Sequence, residues 1–267
     1  MIFWLLRRIR DVQHSRTFLT AEWRWLAMLN YHVAPELLRP YVPAGTELDC
    51  WNGATYVSIV GFLFRDTRVL GVPVPMHRHF EEVNLRFYVR RTVDGEVRRA
   101  VTFIRELVPR RAIATVAKLT YNEPYTALPM RHHLGPLDAA TGAPSLVEYG
   151  WRKSGERNLL SVEPVGTARK LEAGSEEEFI TEHYWGYTRQ RDGGTVEYRV
   201  EHSPWRVWQV RNARLEGNLA SLYGKEIASA IAGAPASAFL ADGSAVTLRA
   251  PARLHSALQP GRSRAVG

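Results

Sequence analysis

Glu82, Asn84, Arg86, Tyr88 and Arg90 fall on every second position of the segment EEVNLRFYVRR (residues 81–91), with Val83, Leu85, Phe87 and Val89 between them. Successive side chains of a strand point to opposite faces, so this spacing predicts one apolar face and one bearing an acid, an amide, a guanidinium and a phenol. Residues i and i+4 on a strand stand roughly 13 Å apart at Cα. Glu82 and Arg86 would therefore bracket a guest rather than pair with each other, and Asn84 between them could hydrogen-bond it. Turned to solvent, such a row is an ordinary outer face; turned inward, it lines a barrel lumen. Thr102 and Glu106 share a face of the next strand and join that lumen if the register allows.

A second cluster lies in KLTYNEPYTALPMR, residues 118–131. Proline cannot continue a central ladder, so the chain leaves the sheet here and presents Asn122, Glu123, Tyr125 and Arg131 at a mouth, where loop residues commonly meet ligands. In this reading Arg86 binds a carboxylate or carbonyl-rich molecule, Tyr125 donates a hydrogen bond or acts as an acid, and Arg131 assists. Lys118 is the lysine nearest that mouth. Buried at an apolar site, it would lose its charge and could act as a nucleophile. Only four of the 35 basic residues are lysines (118, 153, 170 and 225), which limits imine chemistry to few positions.

Other motifs carry less. His77 and His79 share a strand face, and His132 adjoins His133, but neither pair has a third ligand at metal spacing, so no metal is expected. No glycine-rich phosphate loop and no G-x-S-x-G elbow occurs. The single cysteine, Cys50, excludes a disulfide framework within the chain and any multi-cysteine metal site. No cofactor is implied.

The elements that must hold these residues read as strands. Residues 55–65 are apolar at nearly every position, as in a strand covered on both faces. Asp94-Gly95 is a hairpin signal leading into 97–108, and a fourth strand is expected over 111–121. Strands resume at 146–151, 158–165, 195–202, 206–215 and 244–249. Helices are short: Ala34 to Arg39, ending before Pro40; about 176–184, from the capping signal Ser175 with Glu178; and one or two turns within 218–232, broken near Gly224. Sequential strands with tight turns point to a meander or barrel.

The 267 residues are 45% hydrophobic, enough for a sizeable core, and carry a net charge of +8. Residues 1–16 hold +3 of that charge and 249–267 hold +4, leaving +1 for the body. The basic character belongs to two tails, so nucleic acid is not the expected partner. No apolar run approaches a membrane span, and the arginines follow rather than precede the short apolar start, unlike a secretory signal. A cytoplasmic location is expected.

FEEVNLRFYVRR, FIRELVPR, YNEPYTALPM, TEHYWGY and ADGSAV together resemble the YqjF-like family of unknown function (domain of unknown function 2071), within the acetoacetate-decarboxylase-like superfamily. The resemblance covers residues 17–250, expected as one domain between a basic N-terminal segment (1–16) and a basic C-terminal tail (251–267). It implies a mainly β (α+β) fold: a cone-shaped antiparallel barrel with short peripheral helices and an internal cavity. In the decarboxylases the segment similar to YNEPYTA carries Gly-x-Pro-Lys-Lys, whose first lysine forms the Schiff base. Matching the proline to Pro124 puts Tyr125 and Thr126 in place of both lysines, so the activity does not carry over. Glu82 resembles the cavity-facing glutamate of their Tyr-x-Glu and does carry over. The expected function is small-molecule binding in the cavity by Glu82, Asn84, Arg86, Asn122, Glu123, Tyr125 and Arg131, with Tyr125, Glu82 and Lys118 as candidate catalytic groups. The alternatives are a lysine-dependent decarboxylase or aldolase using Lys118, and a non-catalytic interaction protein that meets its partner through the tails.

Overall fold

A computed structural model describes residues 16–73, 77–109 and 124–254. The strand expected over 111–121, and with it Lys118, Asn122 and Glu123, lies outside the described residues. Thr17–Val33 form β1, Glu47–Leu48 β2, Thr55–Val69 β3, Val72–Pro73 β4, Phe80–Val93 β5 and Glu96–Val108 β6. Next come β7 (Tyr125–Ala127), β8 (Met130–Leu134), β9 (Val147–Lys153) and β10 (Glu156–Lys170). The remaining strands are β11 (Trp185–Arg189), β12 (Thr195–His202), β13 (Arg206–Glu216), β14 (Ser237–Ala241), β15 (Ala245–Arg249) and β16 (Ala252–Arg253). Among the described residues four short helices accompany them: α1 (Pro35–Leu38), α2 (Glu176–Thr181), α3 (Ala220–Tyr223) and α4 (Lys225–Ala230). The chain is mainly β, as its alternation and resemblance both imply. Pro40 does not end the first helical segment but lies within a single 3₁₀ turn, Arg39–Tyr41, where the missing N–H is not needed.

Hydrogen bonding closes a ring. Among the described residues β1 pairs with β3, β3 with β5, β5 with β6, β6 with β11, β11 with β12, β12 with β15, and β15 returns to β1. Most pairs are antiparallel, but β11 and β7 both run parallel to β6, so the sheet is mixed. A second arm, β14-β13-β10-β9-β8, leaves the ring from the C-terminal half of β1. The division is made at Trp25, whose φ of 57° is unusual for a bulky residue. Across it the register against β3 jumps from Arg24↔Leu63 to Ala27↔Gly61, the signature of a bulge that bends the strand. The first half of β1 thus pairs with β15 and the second half with β14.

β5 is a partition between two interiors. Val83, Leu85, Phe87 and Val89 join an apolar core with Leu29, Ile59, Tyr149 and Leu160, closed by Leu222 and Ile227 of the two C-terminal helices. The opposite face of β5 looks into the ring. Both faces are therefore covered, although the sequence alternates as if one were wet.

Candidate functional site

The polar row of β5 is buried: Glu82 is 2%, Asn84 3%, Arg86 8% and Tyr88 1% exposed. The row ends at Arg90, which is exposed and pairs with Glu47 at 2.8 Å. Glu82, Asn84 and Arg86 line a cavity inside the ring together with Glu106 and Phe103 of β6 and Tyr125 of β7. Its volume is about 60 Å³, room for roughly four to six waters at about 10–15 Å³ each. An aromatic part of its wall is formed by Trp23, Phe62, Phe64 and Trp205, with Phe62 directly across the ladder from Glu82. Trp23 meets the rings of Phe62, Phe64 and Trp205 edge-on at 5.4, 5.8 and 6.3 Å.

Within the row, Asn84 Nδ2 donates to Glu82 Oε1 at 3.0 Å, and the Tyr125 hydroxyl donates to Glu82 Oε2 at 3.3 Å. Asn84 Oδ1 has no partner among the described residues. Arg86 Nη2 donates to the Ile180 carbonyl at 3.1 Å and touches Met28 Sδ at 3.9 Å, while its Nε is without a partner among the described residues. The guanidinium also lies 5.8 Å from the Tyr88 ring centroid. Glu106 stands directly across the ladder from Asn84.

Two expected residues, Arg131 and Thr102, are placed elsewhere. Arg131 is exposed on β8, at the far edge of the second arm; it packs against Gly150 and is not part of the cavity wall, because the chain turns away from the ring after β7. Thr102 is buried but points to the opposite side, donating to the Tyr187 carbonyl at 3.1 Å. The register of β6 shifts between Leu85↔Arg105 and Arg86↔Phe103, so Ile104 is an extra residue and Thr102 and Glu106 end on different faces. Tyr88 faces the ring but is packed against the His183 and Phe179 rings at 4.7 and 5.2 Å.

No lysine among the described residues lines the cavity. Lys153 donates to the Ser221 carbonyl, and Lys170 and Lys225 are exposed. Nor do three His, Cys, Asp or Glu side chains gather at metal distance among the described residues.

The sequence reading missed His183 and His202, both in the cavity wall. His183 follows α2, whose N-cap Ser175 Oγ accepts from Glu178 N at 3.1 Å. His202 is stacked between Tyr184 and Trp205 at 4.8 and 4.4 Å. Burial lowers the pKa of both, that of His183 to about 4. TEHYWGY contained the signal, but a lone histidine has no spacing to read.

A ring of this topology with a polar interior is the acetoacetate-decarboxylase-like fold. The acetoacetate decarboxylase of Legionella pneumophila superposes with a TM-score of 0.65 over 92% of this chain and 91% of that one, at 13% identity. An acetoacetate decarboxylase-like enzyme of Sphingomonas wittichii does so with a TM-score of 0.60 over 90% and 94%, at 15% identity. The enduracididine biosynthesis enzyme MppR complexed with pyruvate gives 0.59 over 90% of each chain, at 13% identity. Within that fold the chain belongs to the DUF2071 family, described as an uncharacterized conserved protein, whose profile matches residues 20–245. The uncharacterized protein YqjF of Bacillus subtilis is 26% identical over 198 residues, 73% of this chain and 75% of YqjF.

Proposed function

We propose that the chain binds a small carboxylate- or carbonyl-containing molecule in the ring cavity, anchored on Arg86. The observation that carries this reading is the state of that guanidinium: 8% exposed, facing the cavity, and held by a carbonyl and a thioether. No carboxylate among the described residues pairs with Arg86; a buried arginine without an anion is costly, and a guest carboxylate would remove that cost. The two adjacent oxygens of a 2-oxo acid suit the fork of a guanidinium. The Tyr125 hydroxyl and Asn84 amide supply orienting contacts, and the aromatic wall takes the apolar part. That MppR is complexed with pyruvate agrees with this ligand class.

Thermal denaturation with pyruvate, 2-oxobutanoate and benzoate tests the reading. A ligand at a hundred times its Kd adds about 2.7 kcal/mol, a shift of several degrees for a chain of this size. The shift is expected for at least one acid with the wild type, lost in Arg86→Gln and reduced in Tyr125→Phe. The comparison is of ligand-induced shifts, because removing a buried charge changes the ligand-free Tm by itself. Equal shifts in all three proteins, or none in the wild type, would sink the proposal.

A further inference from the structure

Binding on Arg86 assigns no task to His183 in the cavity wall. His183 is 6% exposed, and neither Nδ1 nor Nε2 has a hydrogen-bond partner among the described residues. A buried polar atom left unpaired costs roughly 1–3 kcal/mol, and in a native protein it asks for a functional explanation. The groups around the ring come from several elements. Asp49 Oδ2, just after β2, stands 3.9 Å from Nε2, too far for a hydrogen bond but near enough to orient the ring by charge. Arg99 Nε on β6 donates to that same oxygen at 2.8 Å. Tyr88 and Arg86 approach from β5, and Phe179 from α2 meets the ring edge-on at 5.6 Å.

With Asp49 beside Nε2, the tautomer protonated there is favoured, which leaves a lone pair on Nδ1. Desolvation, opposed by Asp49 and reinforced by Arg99 and Arg86, holds the ring neutral at neutral pH. A carboxylate seated on Arg86 would cancel that guanidinium's influence and make the ring more basic. Guest binding and proton acceptance are thereby coupled.

We propose that His183, positioned by Asp49, is a catalytic proton acceptor, and that the chain catalyses keto–enol exchange at the carbon beside the carbonyl of a small 2-oxo acid. The proposal rests on the binding reading above. The C3–H bond breaks and its proton passes to Nδ1. Its electron pair becomes the C2=C3 bond, and the C2=O π pair moves onto oxygen, where Arg86 meets the charge. The reverse step returns a proton to C3. Nothing is oxidised or reduced, and no co-reactant is consumed.

The test is deuterium incorporation at C3 of 2-oxobutanoate in D₂O, followed by proton NMR with the full-length chain. The wild type is expected to exchange saturably and faster than buffer. His183→Asn should lose about 100-fold or more while keeping the 2-oxobutanoate thermal shift. Asp49→Asn keeps the imidazole but removes the carboxylate that raises its basicity, so the acid limb of the pH–rate profile moves to lower pH. Wild-type exchange no faster than buffer, or undiminished in His183→Asn, overturns the proposal, and a persisting thermal shift then leaves the binding reading standing. Absence of both shift and exchange overturns both. Exchange kept in His183→Asn but lost in Lys118→Ala overturns it in favour of an imine. Should His183→Asn fail to fold, an unshifted acid limb in Asp49→Asn is the overturning result.

Discussion

Glu82 is almost wholly buried, and among the described residues Asn84 Nδ2 and the Tyr125 hydroxyl donate to its carboxyl oxygens. Taking one away leaves part of its desolvation uncompensated. Tyr125→Phe should lower stability by about 1 kcal/mol, seen as a lower urea midpoint at unchanged slope. His183 makes a sharper prediction, because folding holds neutral a ring that the unfolded chain protonates near pH 6.5. Between that value and its folded pKa of about 4 the unfolded chain binds more protons, so stability falls as pH drops through this window. The full loss is roughly 3 kcal/mol, and below pH 4 this residue contributes no further slope. His202, also lowered by burial, adds a slope of the same sign. The measurement is therefore the difference between wild type and His183→Asn in urea midpoints at pH 7, 6 and 5. It should narrow steadily as pH falls; a constant difference would mean the ring titrates normally in the fold.

At the scale of elements, the bend in β1 needs its neighbour. The turn between β14 and β15 lies against it, with Trp23 N donating to the Ser244 carbonyl at 2.9 Å and Trp25 N to the Asp242 carbonyl at 3.4 Å. Gly243 between them has φ +80°, and a Cβ there would run into the Trp23 carbonyl. Backbone cannot yield as a flexible side chain can, so Gly243→Ala should destabilise by about 3 kcal/mol or more, read from the denaturation midpoint or from loss of soluble protein. The same scale shows what the sequence could and could not disclose. The alternation of 82–90 was legible because strand geometry imposes it; which way that face turned was not, since strand periodicity is identical for a wet face and a lumen. The resemblance to a barrel family supplied the direction. The extra residue at Ile104 left no trace in composition, so Thr102 was placed with Glu106 on one face. Trp25 likewise gave no sign that β1 would serve both the ring and the second arm. His183 was invisible for another reason: its neighbour Asp49 and the Arg99 that holds Asp49 come from distant stretches and meet only on folding.

For the whole molecule, one experiment decides whether the shared fold carries lysine chemistry here. The superposed decarboxylase and this chain have the same architecture at 13% identity, a likeness of backbone that says nothing about a lysine. Pro124 is followed by Tyr125 and Thr126, and the Tyr125 side chain occupies the cavity wall as a hydrogen-bond donor to Glu82. An imine therefore has few places to form. Of the four lysines, Lys153 is tied to the Ser221 carbonyl and Lys170 and Lys225 are exposed, which leaves Lys118 as the one whose sequence neighbourhood leads to the cavity. Borohydride reduction in the presence of pyruvate, followed by peptide mass spectrometry, thus reads out a single residue against three internal controls. Keto–enol exchange on His183 needs no covalent intermediate, so the expected result is equal, background labelling at all four positions. Pyruvate-dependent enrichment at Lys118 alone would instead assign the cavity to lysine chemistry, with His183 reduced to a neighbour of the imine.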